Sequence, residues 1–369
     1  MTSLPLLAAL VAAAPAKPPA AACLPAAPLP GLGAIDPFRA PDPKATELNS
    51  AGKSYYRDGK WEEARIEYRA AEAADPAFLA PRLNVACSFV RQERYAEATA
   101  EVETLLARAY VPWAREVLEA ADLGALKPRP EMARIRRAMT AAAAAWGGDL
   151  EDAVLFVGRA RAPLKIPPTP GFFIVNPRQE VYAFLPATGR FRQLTNEDGR
   201  VLAMLRTPDR RRVVYVTAEK LIRAADDSLT LRGVALRELT LATMTAEPPI
   251  RVDGDVRRLE LATVGAMTAF KIDGDRVSGW FRRGDRGNKA GLDSLPPMPG
   301  ARGGAVVTAR GAEAAPAPAP ASGQGSCRAS AREVSEPGKP RTIVVSAPGR
   351  PARRLGEQFG AGLVGLPIP

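Results

Sequence analysis

Residues 45–78 read ATELNSAGKSYYRDGKWEEARIEYRAAEAADPAF, and this stretch decides the first half of the fold. Ala51 and Gly52 precede Tyr55 on one stripe, while Ala64, Tyr68 and Ala71 recur at spacings of four and three on a second. Residues three and four apart share a helix face, so each stripe predicts a helix. Asp58-Gly59 lies between them, where glycine permits the bend that joins two antiparallel helices, and Pro76 ends the second.

The pattern returns 34 residues on. In 79–112, Arg82, Val85, Ala86, Phe89, Ala98, Val102 and Leu105 stand where Leu48, Ala51, Gly52, Tyr55, Ala64, Tyr68 and Ala71 stand in the first copy. Tyr95-Ala96-Glu97-Ala98 echoes Trp61-Glu62-Glu63-Ala64, and Tyr110, with Pro112 close by, takes the place of Pro76. These residues resemble the tetratricopeptide repeat (TPR), with Leu48 in place of the more familiar tryptophan. Its logic is packing: Gly and Ala let helices approach closely, and aromatics fill the gap between successive hairpins. Pro112–Leu118 starts another helix, and Met132, Ile135 and Met139 are spaced to bury one face of a last one. That segment resembles the terminal repeat that shields the open edge of such an array. Residues 45–140 are thus expected to hold two full repeats and a capping helix.

The resemblance implies a concave groove lined by the first helix of each pair. Its offsets fall on Asn49, Lys53, Tyr56 and Arg57 in the first copy, and on Leu83, Cys87, Val90 and Arg91 in the second, with Asn84 adjacent. Asn49, Lys53, Arg57, Asn84 and Arg91 would form a polar, positive wall suited to an acidic or carboxylate-ended peptide. The partner-binding residues expected are therefore Asn49, Lys53, Tyr56, Arg57, Leu83, Asn84 and Arg91.

After about residue 150 the apolar period changes to two. Val154–Val157, Phe172–Val175, Val181–Leu185, Val201–Leu205, Val213–Thr217, Ala235–Leu241, Leu259–Thr263, Met267–Ile272 and Ile343–Ser346 read as strands. Turn signals punctuate them, among them Asn196-Glu197-Asp198-Gly199, Pro208-Asp209, Asp253-Gly254-Asp255 and Asp273-Gly274-Asp275. Thr188–Thr195 (TGRFRQLT) followed by Thr207–Val216 (TPDRRRVVYV) resembles a blade of the TolB-type, WD40-like β-propellers, with Arg210 where that family has a turn glycine. The resemblance implies an all-β, propeller-like domain over 148–369, with a Pro/Ala-rich loop at 311–326; a sandwich or partial barrel is the alternative. The expected fold class is α+β multidomain: an all-α TPR solenoid, then the β domain.

The first residues carry an apolar run of signal-peptide length, Leu4–Ala14, then Ala14-Pro15-Ala16. Residues 1–16 are expected to be a signal peptide, and the proline-rich 17–44 a tether, which places the chain in the periplasm or cell envelope. Cys23 follows Ala20-Ala21-Ala22 as in a lipoprotein site, but Lys17-Pro18-Pro19 interrupts the apolar run and weighs against lipidation. Cys23 and Cys327 are candidates to pair after export.

The chemistry is defined as much by what is missing. The 369 residues contain no histidine, so neither an imidazole base nor a His-ligated metal is available, and three cysteines are too few for a four-thiolate zinc site. The net charge of +11 is spread over the second half and carried mostly by arginine. It is not clustered with aromatics as in a nucleic-acid groove. The two Asp-Gly-Asp turns are expected to be tight turns rather than a cation site, and no phosphate loop or Gly-x-Ser-x-Gly elbow is present. No cofactor is expected. The function expected is a non-enzymatic scaffold that binds a protein or peptide in the helical groove, without nucleic acid and without a membrane span. The alternatives are a carboxylate-dependent glycan-acting or glycan-binding β domain, and a nucleic-acid-binding protein.

Overall fold

The structure, a computed structural model, describes residues 40–159 and 179–296 apart from a few turn positions, and the strands at 302–308, 311–314, 330–334, 342–346 and 353–354. The expected leader, Cys23, the strand at 172–175, Cys327 and most of the 311–326 loop lie outside the described residues. Helices come first and antiparallel sheets follow, an α+β architecture.

The helices are α1 (Pro43–Arg57), α2 (Trp61–Ala74), α3 (Ala80–Arg91), α4 (Tyr95–Arg108), α5 (Tyr110–Glu119) and α6 (Pro130–Gly147), with a 3-10 segment at Ala121–Leu126. Asp42 caps α1 by accepting from the Lys44 and Ala45 amides at 2.8 and 3.3 Å, and Pro43 sets the first turn. The pairs α1–α2 and α3–α4 repeat one another in detail. Lys60 N–H donates to Tyr55 C=O at 2.9 Å, and Arg94 N–H to Phe89 C=O at 2.9 Å. Asp75 N–H closes on Ala71 at 3.0 Å, and Ala109 N–H on Leu105 at 3.0 Å. Gly59 bends at φ +75° and Glu93, its counterpart, at +59°. Within the first pair Gly52 lies against the Tyr68 ring: a Cβ on Gly52 would stand 2.6 Å from two ring carbons. The second pair replaces the combination with buried Ala86 and Val102.

A third pair is formed by α5 with its 3-10 continuation and by α6, but it departs from the pattern. Its first helix stops at Ala120, where ψ turns to 120°, and resumes as the 3-10 turn. Met132 and Ile135 of α6 are buried and Met139 is partly so, the face expected from their spacing.

The described strands form four antiparallel sheets. The first runs Val154–Arg159, Gln179–Leu185, Arg190–Gln193. The second has the order Ile250–Arg251, Ala235–Thr240, Arg212–Thr217, Val201–Arg206, with Thr245–Ala246 also on Ala235–Thr240. The third has eight strands, centred on Asp255–Val264. The hairpin Lys220–Arg223/Leu229–Arg232, inserted in the chain between two strands of the second sheet, joins the third sheet through the Asp255–Arg232 pairing. The fourth, Ser330–Val334, Thr342–Ser346 and Arg353–Arg354, is small. The loop expected from 311 begins later: Gly311–Ala314 is a strand paired with Arg302–Thr308. Gly-Ala-Glu-Ala keeps all its amide donors, and the first proline is Pro316.

The second sheet is the middle layer. Val213 and Tyr215 turn to the helices, Val214 and Val216 to the third sheet, as period two requires. A single apolar core therefore runs from Leu79 and Leu106 through Trp146 to Val181 and Leu239. Trp146 Nε1 donates to the Gln193 carbonyl at 2.8 Å, and the buried Arg192 guanidinium pairs with Asp149 beneath the Trp146 ring. Arg206 donates to the carbonyls of Leu150 (2.8 Å) and Ala153 (3.0 Å), satisfying the backbone that leaves α6. Gly147 is pressed against Leu241, whose carbonyl occupies the place a Cβ would take.

Candidate functional site

The floor and walls of one open cavity, about 550 Å³, are made by Ser50, Lys53, Tyr56 and Arg57 of α1, Tyr68 of α2, Asn84 and Cys87 of α3, and Asp122 of the 3-10 turn. Ser50, Lys53 and Arg57 share a face because they are spaced by three and four, as do Asn84, Cys87 and Arg91. The 34-residue recurrence places the two faces side by side.

Lys53, Tyr56, Arg57 and Asn84 line this cavity. Asn49 is buried behind it and accepts from the Asn84 side-chain amide at 2.8 Å, which fixes the Asn84 orientation. Leu83 is not on the lining; it is half-buried against the main core. Arg91 is likewise off the lining and is held by two residues that are on it: Nε donates to the Tyr56 hydroxyl at 3.0 Å, and its guanidinium forms an ion pair with Asp122. Lys53 and Arg57 are exposed and have no ion-pair partner among the described residues. The two form the free positive charge of the groove.

Asp122 was not among the residues expected here. It follows the break at Ala120, which the sequence signals only as a lapse in the 34-residue spacing. The Tyr56 hydroxyl is pushed up to about 12, first by burial and then by the negative charge of Asp122, against the lowering effect of the Arg91 bond. Cys87 is buried, and burial followed by the charge of Asp122 raises its thiol to about 12. It is a protonated packing residue at neutral pH, not a nucleophile.

Outside the cavity lining, Arg69, Arg82 and Arg108 surround Glu72 and Glu101 and tie α2, α3 and α4 together. Burial raises the Glu72 carboxyl, but bonds from Arg69 and Arg82 outweigh it and hold the group below its ordinary value.

Two other acidic groupings fall in the β layers. Glu180 is buried and accepts from Thr195 Oγ1 (2.6 Å) and from the amides of Glu197 and Gly199 (both 2.7 Å). Burial raises its carboxyl, the three hydrogen bonds oppose this, and the charge of Glu197 adds to the rise. Glu197 in turn accepts from the Tyr215 hydroxyl at 2.8 Å and faces Arg237 at 3.4 Å. Both Glu180 oxygens are occupied in shaping the 195–199 turn. The Asp-Gly-Asp turns do meet: the Asp255 amide donates to Asp275 Oδ1 at 2.7 Å. Two of the four carboxylates are engaged by arginines, Asp255 by Arg232 (2.7 Å twice) and Asp273 by Arg257 (2.8 Å). Among the described residues no group of three or more Asp, Glu, His or Cys could hold a metal ion. No helix among them is long and apolar enough to cross a membrane.

No protein-family model matches the sequence, and no curated protein matches it. Among solved structures, TolB from Acinetobacter baumannii is matched at 13% identity with a TM-score of 0.18. The alignment covers 61% of this chain and 59% of TolB, so the chain spans less than two thirds of that protein.

Proposed function

We propose that this protein is a non-catalytic interaction scaffold whose helices form a TPR-type array holding an acidic peptide segment of a protein partner. The observation that carries the reading is the cavity between α1 and α3, where Lys53 and Arg57 stand exposed beside Asn84. Fixed amide donors and unspent positive charge favour an anionic, hydrogen-bonding chain. The recurrent turn bonds, the Gly52–Tyr68 contact and its Ala86–Val102 replacement support the repeat assignment for α1–α4. The third pair is a degenerate repeat, and α6 is the face on which the sheets dock. For the β layers, the propeller-like reading rests on the short meanders of the first and second sheets. The eight-stranded third sheet is twice the size of a four-stranded blade and favours the alternative of a sandwich or partial barrel. Export to the cell envelope is proposed from the apolar and proline-rich residues 1–44 alone.

The test is photo-crosslinking in the organism of origin, with a photoreactive residue at Ser50 in the cavity or at Ile66, exposed on α2. The scaffold reading expects a discrete protein adduct from position 50, absent from position 66 and lost when Lys53 and Arg57 are both changed to Glu. Identical adducts from both positions, or adducts indifferent to the charge reversal, would refute it.

A further inference from the structure

We propose that Asp122 is a tethered competitor for the anion seat of the groove, so that the protein's own carboxylate sets how acidic a segment must be to bind. The inference rests on the reading of this cavity as an anionic-peptide site and adds its regulation.

Three observations meet at one residue. The first helix of the third pair stops at Ala120, and the chain resumes as a 3-10 turn. This turn carries Asp122 into the cavity beside Lys53, Arg57 and Asn84. There the carboxylate takes the Arg91 guanidinium, whose other bond goes to Tyr56 on α1. Arg91 is thus oriented from two sides, and the position that a ligand carboxylate would fill is occupied by a side chain of the same chemistry. The two partners are half and more than a third exposed, 50% and 38%, so the pair is weak enough to exchange. A ligand sees only the fraction of molecules in which the seat is open, and its apparent affinity falls by that fraction. For an exposed pair this is about a fivefold reduction. Lys53 and Arg57, not subject to such competition, would make the first encounter, and displacement of Asp122 would follow. A segment with a single carboxylate would be retained by Lys53 or Arg57 alone, whereas one with several carboxylates would also displace Asp122.

The experiment is fluorescence anisotropy on the full chain with an end-blocked, dye-labelled oligoglutamate, and oligoserine as the uncharged control. Asp122→Asn should bind oligoglutamate about fivefold more tightly than the unmodified protein, with oligoserine unchanged. In an Arg91→Gln background, where the contested seat is gone, the same change should produce no gain. If the unmodified protein binds oligoglutamate and Asp122→Asn does not improve it, the competition is refuted while the groove reading stands. An undiminished gain in the Arg91→Gln background would refute it too, because simple repulsion would then suffice. If oligoglutamate binds none of the proteins, or Lys53→Glu with Arg57→Glu leaves its binding intact, the groove reading itself falls and takes the proposal with it. Should Asp122→Asn unfold, Asp122→Ser is measured under the same expectations.

Discussion

Gly52 and Tyr68 form an interlocked pair whose exchange for the pair that stands 34 residues later has a computable effect. A methyl group on Gly52 would lie 2.6 Å from the Tyr68 ring and 3.1 Å from the Ala64 carbonyl, where ordinary contact begins near 3.4 Å. Tyr68 is 1% exposed and packs against Ala64 and Val85, so relieving the contact means displacing the ring from that packing toward the cavity it lines. Overpacking of this kind destabilises by about 2 kcal/mol. Alanine in place of glycine within a helix returns about 1 kcal/mol. Gly52→Ala is therefore expected to lose about 1 kcal/mol. Tyr68→Val alone opens a cavity and should lose about 3 kcal/mol. In that background the clash is absent, and Gly52→Ala should stabilise by about 1 kcal/mol from helix propensity alone. The double variant reproduces Ala86 and Val102, which the protein already tolerates 34 residues on. The expected coupling is about 2 kcal/mol, well above the roughly 0.5 kcal/mol scatter of additive pairs. Urea denaturation of the four proteins, followed by circular dichroism, measures it. A Gly52→Ala effect equal in both backgrounds would refute the close-approach argument.

Three further outcomes follow from the same structure. Gly59→Ala forces a side chain into φ +75° with no other contact closer than 3.8 Å, and should destabilise by about 1 kcal/mol; Glu93→Gly relieves φ +59° and should stabilise slightly, both read as shifts in thermal midpoint. Gly147→Ala should lose about 3 kcal/mol, since the obstacle is the Leu241 backbone rather than a movable side chain; near-ultraviolet circular dichroism of Trp146 would report loosened docking of α6. Glu72→Gln should destabilise by about 2 kcal/mol at neutral pH. Because the folded carboxyl lies below its ordinary 4.5, that contribution is present above this pH and disappears as the pH falls through the folded value, so the difference between the two proteins in urea should vanish in acid.

The helical half was legible in the sequence because its packing is local and recurrent. Gly52 against Tyr68, the left-handed turn at Gly59 and the buried Ala64 and Ala71 all leave residue-type signatures at fixed offsets. Even Arg210, read as standing at a glycine position, adopts φ +61°. What escaped was non-local. The alanine run at 141–145 shows no contrast between apolar and polar positions, yet Ala142, Ala143 and Trp146 belong to the core shared with the sheets. The strands Ser278–Arg286 and Lys289–Leu295 are too rich in Arg, Asp and Gly to show apolar alternation. Their one local signal in the sequence is Gly287-Asn288 between the paired Arg286 and Lys289, a dipeptide of the type found in two-residue hairpins. Asp122 entered the groove only because a helix broke before it, and the charge of the site changed with it. The expected wall carried Arg91 as a free cation; in the folded protein that charge is balanced and only Lys53 and Arg57 remain unpaired.

Binding of another chain to the groove faces of α1 and α3, as proposed, would leave a local signature. Hydrogen–deuterium exchange of the full protein, with and without saturating oligoglutamate, addresses it segment by segment. Protection is expected within Pro43–Arg57, Ala80–Arg91 and the turn at Ala121–Leu126, with Trp61–Ala74, Tyr95–Arg108 and the sheets unchanged. Protection confined to the sheets, or spread evenly over all helices, would contradict it.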